Sequence, residues 1–547
     1  MSCDSVKKHR LLFLTVNCSY SHSSLALPLL HSACADLTDW EWNRYDMTIG
    51  EDVMTAVRDI ASSQCDLLVT DLYLFNRQVA MDVLQRYHAL DHRCRFAVGG
   101  PECLGDGAVT LLHEYPWLDC VFRGEGEEIF RDYLVHFDEL PSEGRIVPSD
   151  GNASYTGWIS APFPVNDPFF CFDKPFVQVE TSRGCPMGCF YCTSGGTKPR
   201  YRSLEQIRAE LGLLAAKGVK EIRILDRTFN LPQERGAGLL RLFREEFPAM
   251  HFHLELHPQY MDAVLRNELQ QALPGQLHIE TGIQCLDPEV QRLTGRRSET
   301  EKVLDGLSFL CNLTAFETHA DLLSGLPGQK WSHILSDTAT LMALNVAEIQ
   351  LEVLKVLPGT PLREIAADHG ICYSAATPYD VMQTDTMGLD EMQKARDLSR
   401  LLDMTYNHKE LHPVVFSMQR ECVDFVSKLL DHFYTNGGSS NVLWDLKKRF
   451  LFLHSFCVIH NLEYSLHILA LHWLFAGFPP EQGADTFSVK TDSVPEEAEI
   501  YMGTAECLGE RETRYWRFEM PEKIYYLAYN RKYSFNRPAC VRMITKE

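Results

Sequence analysis

The chain is poor in cations for its size. Lys and Arg number 52 against 74 Asp and Glu in 547 residues, a formal net charge of −22. Such a field repels phosphate backbones, so a nucleic-acid partner would need a local basic stripe. None longer than the cluster Lys447, Lys448 and Arg449 is present, and nucleic acid is not expected as a partner. Long apolar runs are also missing. The most apolar late stretch, 450–478, is broken by His454, His460, Asn461, Glu463, His467 and His472. A membrane span needs about 20 largely apolar residues, so this stretch is expected to form core helices and no membrane span is expected. Near the N-terminus, Lys7, Lys8, His9 and Arg10 precede an apolar run at 11–16. That run is too short for a secretory signal and reads as a buried strand. A cytoplasmic, reducing location follows as the expectation, with the 18 cysteines as thiols. Internal repeats and low-complexity tracts are absent. The hydrophobic share of 45% and charged share of 23% belong to a folded protein. They exclude general disorder and a small disulfide scaffold, and the length suggests three or four domains at roughly 150 residues each.

What is present is alternation. Over 1–140, apolar runs at 11–16, 67–70, 96–98 and 120–122, with a weaker one near 40–47, are separated by helix-like segments such as 25–37 and 79–90. This spacing predicts an α/β domain with a parallel sheet covered on both faces, of Rossmann or flavodoxin-like type. Such sheets bind ligands beyond the carboxyl ends of their strands. The loops there are 19–24, 72–76, 99–102 and 123–127. Residues 141–174 are proline-rich and lack periodicity, which reads as an ordered linker. From 175 to 375 the alternation resumes with a longer stride, with strand candidates at 176–181, 221–226, 251–256, 276–284, 317–323 and 348–356. The helix pattern at 203–217 opens with Ser203 and Gln206 in capping-box register and closes before Gly218. Six such units predict a partial (β/α)6 barrel of TIM type, whose chemistry sits on loops after the strands. Residues 376–547 are expected to form a mainly helical C-terminal domain, helical over 380–480 and mixed over 485–547.

Three of the cysteines stand apart from the scattered remainder. Cys185, Cys189 and Cys192 follow the first barrel strand with spacing CxxxCxxC, and Gly184 and Gly188 let the backbone fold tightly around a bulky group. Three thiolates can hold three irons of a 4Fe–4S cluster and leave the fourth open. A zinc knuckle is the competing reading, but zinc prefers a fourth ligand in a paired arrangement, and none is near.

This motif, with Tyr191 as its aromatic residue, ahead of a six-unit barrel, resembles the radical S-adenosylmethionine (SAM) superfamily. The segments Gly99, Gly100, Pro101 and Glu102, and Arg123, Gly124, Glu125, Gly126 and Glu127, resemble its cobalamin-binding subclass. Further segments at 20–27, 226–230, 282–284, 319–328 and 354–360 resemble a branch of that subclass with a C-terminal domain of unassigned function. The likeness covers roughly residues 10–420. It implies an N-terminal cobalamin domain, a 4Fe–4S cluster on the three cysteines, and SAM bound to the open iron. In that superfamily, reduction of the cluster cleaves SAM to methionine and a 5′-deoxyadenosyl radical.

The resemblance also implies cofactor residues. Asp226 lies where a glycine-rich turn usually receives the SAM amino group, so its carboxylate is expected to take the ammonium; a buried Asp–Arg pair at a strand end is the structural alternative. Glu255, Glu280 and Gln284 point toward the SAM ribose and carboxylate, where a carboxylate or amide can fork onto hydroxyls, or else serve as structural partners. For cobalamin the expected contacts are Ser21, His22, Ser23, Asn76, Gly99, Gly100, Pro101, Glu102, Gly124 and Glu125. His22 stands where other cobalamin domains place a cobalt-ligating His, but the flanking Asp and Gly of that motif are lost. Hydrogen bonding to the corrin or its tail is therefore expected, with ligation left open.

The implied activity is methyl transfer to an unactivated carbon of a small molecule or natural product, served by a flavodoxin or ferredoxin-type electron donor. Radical cyclisation or rearrangement is the alternative chemistry, and a non-enzymatic cobalamin or redox sensor the alternative class.

Overall fold

The computed structural model describes residues 8–142, 144–478, 488–534 and 536–546. Lys7 and the start of the mixed C-terminal segment, 485–487, lie outside the described residues. The chain divides into two compact units. One comprises 1–318, 323–330 and 353–392; the other comprises 319–322, 331–352 and 393–547.

The first unit opens with six parallel strands: β1 (His9–Asn17), β2 (Trp40–Thr48), β3 (Leu67–Asp71), β4 (Arg95–Gly99), β5 (Cys120–Phe122) and β6 (Arg145–Val147), in the spatial order β2-β1-β3-β4-β5-β6. The expected Rossmann-like alternation is present, and burial follows its pleat. Leu12, Leu14, Leu68, Phe96, Val98 and Val121 face one layer of helices, while Leu11, Phe13, Leu67, Val69, Ala97 and Phe122 face the other. The chain leaves β1 toward one edge and β3 toward the other, so the switch point lies between the loops that follow these two strands. Strand β6 falls in the segment expected to lack periodic structure. At three residues between prolines it is too short to register as a pattern, and its pairing with β5 holds it.

The second series begins with β7 (Val177–Val179). An antiparallel hairpin of β8 (Ser182–Cys185) and β9 (Thr197–Tyr201) carries the cysteine loop. Then follow β10 (Glu221–Ile224), β11 (His251–Leu256), β12 (Leu277–Gln284), β13 (Glu317–Ser324) and β14 (Glu348–Val353). All six expected barrel strands exist, in the alternation of a partial (β/α)6 barrel. Strands β7, β10, β11 and β12 pair in parallel in that order. The helix Leu204–Ala216 has its capping box: Ser203 Oγ accepts from the Gln206 amide at 3.2 Å, and Gln206 Oε1 accepts from the Ser203 amide at 2.9 Å. Along β11 and β12, every second residue packs into the helix-facing core; there Phe252 stacks on Phe243 at 3.8 Å. A short pair, β15 (Cys372–Tyr373) and β16 (Val381–Gln383), closes this unit.

The second unit holds helices at His412–Glu421, Phe425–Thr435, Leu446–His460 and Glu463–Phe475. The last two are the core helices expected within 450–478. No helix among the described residues is long and apolar enough to cross a membrane. The segment read as mixed adds an antiparallel sheet of β17 (Ser488–Thr491), β18 (Glu499–Gly503), β19 (Arg514–Glu519), β20 (Lys523–Tyr529) and β21 (Cys540–Thr545), ordered β17-β19-β20-β21-β18.

Gly100 shows what the first sheet demands of its loops. Its φ is +94°, and a Cβ there would stand 2.8 Å from the Leu72 carbonyl oxygen. Gly100→Ala is expected to destabilise the N-terminal sheet by about 1–3 kcal/mol, read as a lower urea midpoint by intrinsic fluorescence.

Candidate active site

The three cysteines of the motif come together. Cys185 and Cys189 form a buried apolar cluster with Met187, and Tyr191, Cys192 and Tyr260 pack against it. The hairpin positions this loop. Gly184, at φ +89°, brings β8 so close to β9 that a Cβ would lie 2.7 Å from the Lys198 carbonyl oxygen. The Cys185 amide donates to Thr197 Oγ1 at 3.0 Å, and the Gly196 amide to the Met187 carbonyl at 2.6 Å. Outside the hairpin, the Phe190 amide donates to the Thr294 carbonyl, and the Leu362 amide to the Phe190 carbonyl, each at 2.9 Å. As the side chains stand, no three His, Cys, Asp or Glu among the described residues are arranged to hold a single metal ion. The donors are three sulfurs in an apolar setting, which suits a bulky iron–sulfur group better than one small cation.

Cations surround this loop. Burial raises the pKa of the Cys192 thiol, and the Arg227 guanidinium pulls it back down. Arg296 was not singled out by the sequence. Its Nη1 lies 3.8 Å from Cys189 Sγ and 3.5 Å from the Tyr191 hydroxyl. Its Nη2 meets His257 Nε2 at 3.2 Å and the Gly282 carbonyl, while its buried Nε has no partner. Burial, aided by Arg296, pushes the His257 pKa down to about 3, so its ring is neutral. Thr294, Gly295 and Arg296 follow the helix Pro288–Leu293 as an ordinary helix exit, and only packing turns that exit onto the cysteine loop.

Asp226 is fully buried, and both its oxygens are engaged. It accepts from the amides of Thr181 and Ser182, each at 2.8 Å, and from the Thr181 hydroxyl. The Arg235 guanidinium lies 3.6 Å away. This is the buried acid–arginine arrangement left open by the sequence, with Arg235 as the arginine. It fixes the chain between β7 and β8. Arg227 instead faces Glu255 at 3.7 Å. Glu255 and Glu280 are register partners on β11 and β12, on the face opposite the helices, and Gln284 ends that face at φ +69°. Burial raises the pKa of Glu255, against the pull of Arg227. One step below, Gln178, Arg223, His253 and His278 form a polar row across four strands. In that row the two imidazoles lie 4.8 Å apart, and His253 Nε2 is 3.1 Å from Glu280.

The N-terminal candidates separate into two groups. Asn76 is a buried loop knot: it accepts from the Tyr73 amide at 2.7 Å and donates to the carbonyls of Val16 and Asp71. Glu102 accepts from the Tyr379 hydroxyl at 2.6 Å and from Arg77 at 3.3 Å. Glu125 takes the Tyr155 amide, Arg183 and Arg200. Gly124 bridges to Ala153, Gly100 abuts Leu72, Gly99 makes an ordinary contact with Phe122, and Pro101 opens a short 3-10 turn. Glu102 and Glu125 thus reach partners remote in sequence, Tyr379 and Arg200. Ser21, His22 and Ser23 remain half-buried in the loop after β1. His22 Nδ1 lies 2.9 Å from Ser19 Oγ, and its ring meets Phe176 edge-on at 5.1 Å. Burial and the nearby Arg223 lower its pKa. Asp71, at the end of β3, bridges the switch point by accepting from Ser24 Oγ at 2.8 Å.

Residues 179–339 match the radical SAM superfamily, and residues 367–477 match a protein family of unknown function, DUF4080. The chain is 26% identical over 297 residues to an uncharacterized methyltransferase of Pyrococcus horikoshii, a match covering 49% of this chain and 62% of that protein. Its fold is similar to that of TsrM from Kitasatospora setae, a radical S-adenosylmethionine methyltransferase solved with cobalamin and a 4Fe–4S cluster bound. That likeness has a TM-score of 0.54 at 16% identity, over 71% of this chain and 85% of that one. It is also similar to OxsB, a cobalamin-dependent S-adenosylmethionine radical enzyme solved with aqua-cobalamin bound, with a TM-score of 0.59 at 13% identity, over 86% of this chain and 79% of that one. At these identities the two structural likenesses are of fold.

Burial pushes the Asp71 pKa up to about 6, against an ordinary value of 3.8. The folded protein therefore holds this proton more tightly than the unfolded chain, and stability is lost as pH rises from about 4 through 6. That rise in pKa corresponds to roughly 3 kcal/mol. Asp71→Asn should raise the melting temperature at pH 8 and leave it nearly unchanged at pH 4. An equal effect at both pH values would show that Asp71 ionises normally.

Proposed function

We propose that this chain, which carries a radical SAM domain over residues 179–339, is a cobalamin-dependent radical SAM enzyme that transfers a methyl group to an unactivated carbon of a small molecule. The observation that carries this reading is the gathering of buried Cys185 and Cys189 with half-buried Cys192 on the hairpin after the first strand of the barrel series. These thiols would hold a 4Fe–4S cluster with one iron left for SAM. Together the bound cofactors supply an electron for SAM cleavage and a carrier for the methyl group. The protein's residues bind, orient and shield. Arg296 sets a buried positive charge beside Cys189, with a donor still available for an anionic ligand group. Glu255, Glu280 and Gln284 offer acceptors on the strand face for ribose hydroxyls and the SAM ammonium. Ser21, His22 and Ser23, in the loop after β1 at the switch point, are the protein's contacts for cobalamin. The DUF4080 segment, at 367–477, would select the substrate. A flavodoxin or ferredoxin-type donor would supply electrons. Methyl transfer is favoured over rearrangement because both the curated relative and TsrM are described as methyltransferases.

The cluster is tested by anaerobic reconstitution. Wild-type protein should bind about four irons per chain and, with dithionite and SAM, release 5′-deoxyadenosine. The Cys185→Ala, Cys189→Ala, Cys192→Ala triple variant should do neither, and iron retained by it would place the ligands elsewhere. The methyl-transfer reading is tested by product ratio. During turnover, S-adenosylhomocysteine and 5′-deoxyadenosine should appear in about equal amounts, since one SAM serves each role. Deoxyadenosine with turnover but without S-adenosylhomocysteine would favour rearrangement or cyclisation.

A further inference from the structure

The N-terminal sheet holds a second set of close thiols, unconnected with the cysteine loop. Cys65 directly precedes Asp66 and β3, and Cys94 immediately precedes β4; the two strands are parallel neighbours with Leu67 opposite Arg95. The pair sits at the amino ends of these strands, the end opposite the switch-point loops. Their sulfurs are 3.7 Å apart, and each residue is only 5% exposed. A disulfide requires about 2.05 Å, so side-chain rotation has roughly 1.7 Å to close. Both cysteines lie just outside the regular ladder. Cys65 follows Gln64, which has left-handed backbone at φ +49° after the helix Val53–Ser63. Cys94 follows a turn that the Arg93 amide closes on the Asp91 carboxylate. Neither backbone is held by strand pairing on both sides, so the Cβ atoms can adjust without breaking the sheet.

The surroundings also make the two sulfurs unequal. The Tyr87 hydroxyl lies 4.0 Å from Cys65 Sγ, while Cys94 Sγ is 3.3 Å from the Arg95 carbonyl. The Cys94 thiol can donate to Cys65, which lowers the Cys65 pKa despite burial; Cys94 is raised in turn. A thiolate on Cys65 would thus form next to a protonated partner, the arrangement from which thiol oxidation proceeds.

We propose that Cys65 and Cys94 form an oxidation site that takes up a two-electron oxidant and closes to an intramolecular disulfide. With an azo oxidant such as diamide, the Cys65 thiolate adds to one nitrogen of the N=N bond. The Cys94 sulfur then attacks Cys65 Sγ and expels the reduced nitrogen. The two thiols lose two electrons and two protons, the azo group becomes a hydrazine, and one S–S bond forms. No step draws on the cysteine loop, so this inference stands or falls separately from the proposed enzymatic reaction.

The test uses the full-length, anaerobically purified protein with diamide added until half of exposed Cys372 has reacted. The protein is then unfolded in N-ethylmaleimide, digested and mapped by mass spectrometry. The expected result is a Cys65–Cys94 cross-linked peptide lighter by two hydrogens than the two thiol peptides together, with buried Cys103 and Cys120 still alkylated. In Cys65→Ser, Cys94 should stay alkylated under the same treatment. Full alkylation of both cysteines in the wild type, or a cross-link from either one to a third cysteine, would overturn the proposal.

Discussion

One guanidinium holds the cysteine-bearing hairpin in place. Arg183, two residues before Cys185 on β8, reaches Glu127 and Glu180, each at 2.8 Å, and Glu125 at 3.3 Å, while lying over the buried Trp158 ring at 5.0 Å. Glu125 and Glu127 belong to the N-terminal domain, and Glu180 to the end of β7. Arg200, from the opposite strand of the hairpin, takes the other oxygen of Glu125. Three carboxylates around one buried cation would be costly to leave half-paired, because an unmatched charge in a protein interior carries a penalty of several kcal/mol. The cysteine loop, the first barrel strand and the loop after β5 are therefore tied to one another chiefly through Arg183, with Arg200 in support. Asp226 completes this from the other side by holding the amides of Thr181 and Ser182.

This arrangement explains which parts of the site were legible in the sequence. Strands and helices were, because their signal is local: alternating burial on β11 and β12, and the capping box at Ser203, are written in adjacent residues. The cysteines were, because CxxxCxxC concentrates a chemistry in eight positions. The fates of Glu102, Glu125, Asn76 and Asp226 were not. Each lies on a loop beyond a strand, and each makes at least one hydrogen bond to a residue far along the chain. For Glu102 this is Tyr379, and for Glu125 Arg200. A carboxylate after a parallel strand looks the same in sequence whether it meets a cofactor or a distant arginine.

Arg296 illustrates the converse. Nothing in the exit of the helix Pro288–Leu293 announces a place in the site; the residue reaches it where Thr294 receives the Phe190 amide, with the guanidinium lying beside Cys189. The antiparallel sheet of the second unit was blurred for a related reason. Its outer strand β18 is exposed along its whole length, so it lacks the inside–outside contrast by which a strand declares itself.

The polar row of Gln178, Arg223, His253 and His278 across the strand faces bears on what the barrel can admit. Such groups keep their hydrogen bonds only against water or a polar partner. A hydrocarbon surface would strip these groups of their hydrogen bonds and return none, at roughly 2–7 kcal/mol for each polar group left dry. A guest bearing hydroxyl, carboxylate or amide groups in the matching places exchanges one set of bonds for another. On hydrogen-bonding grounds alone, the row would favour polar molecules over hydrocarbon ones.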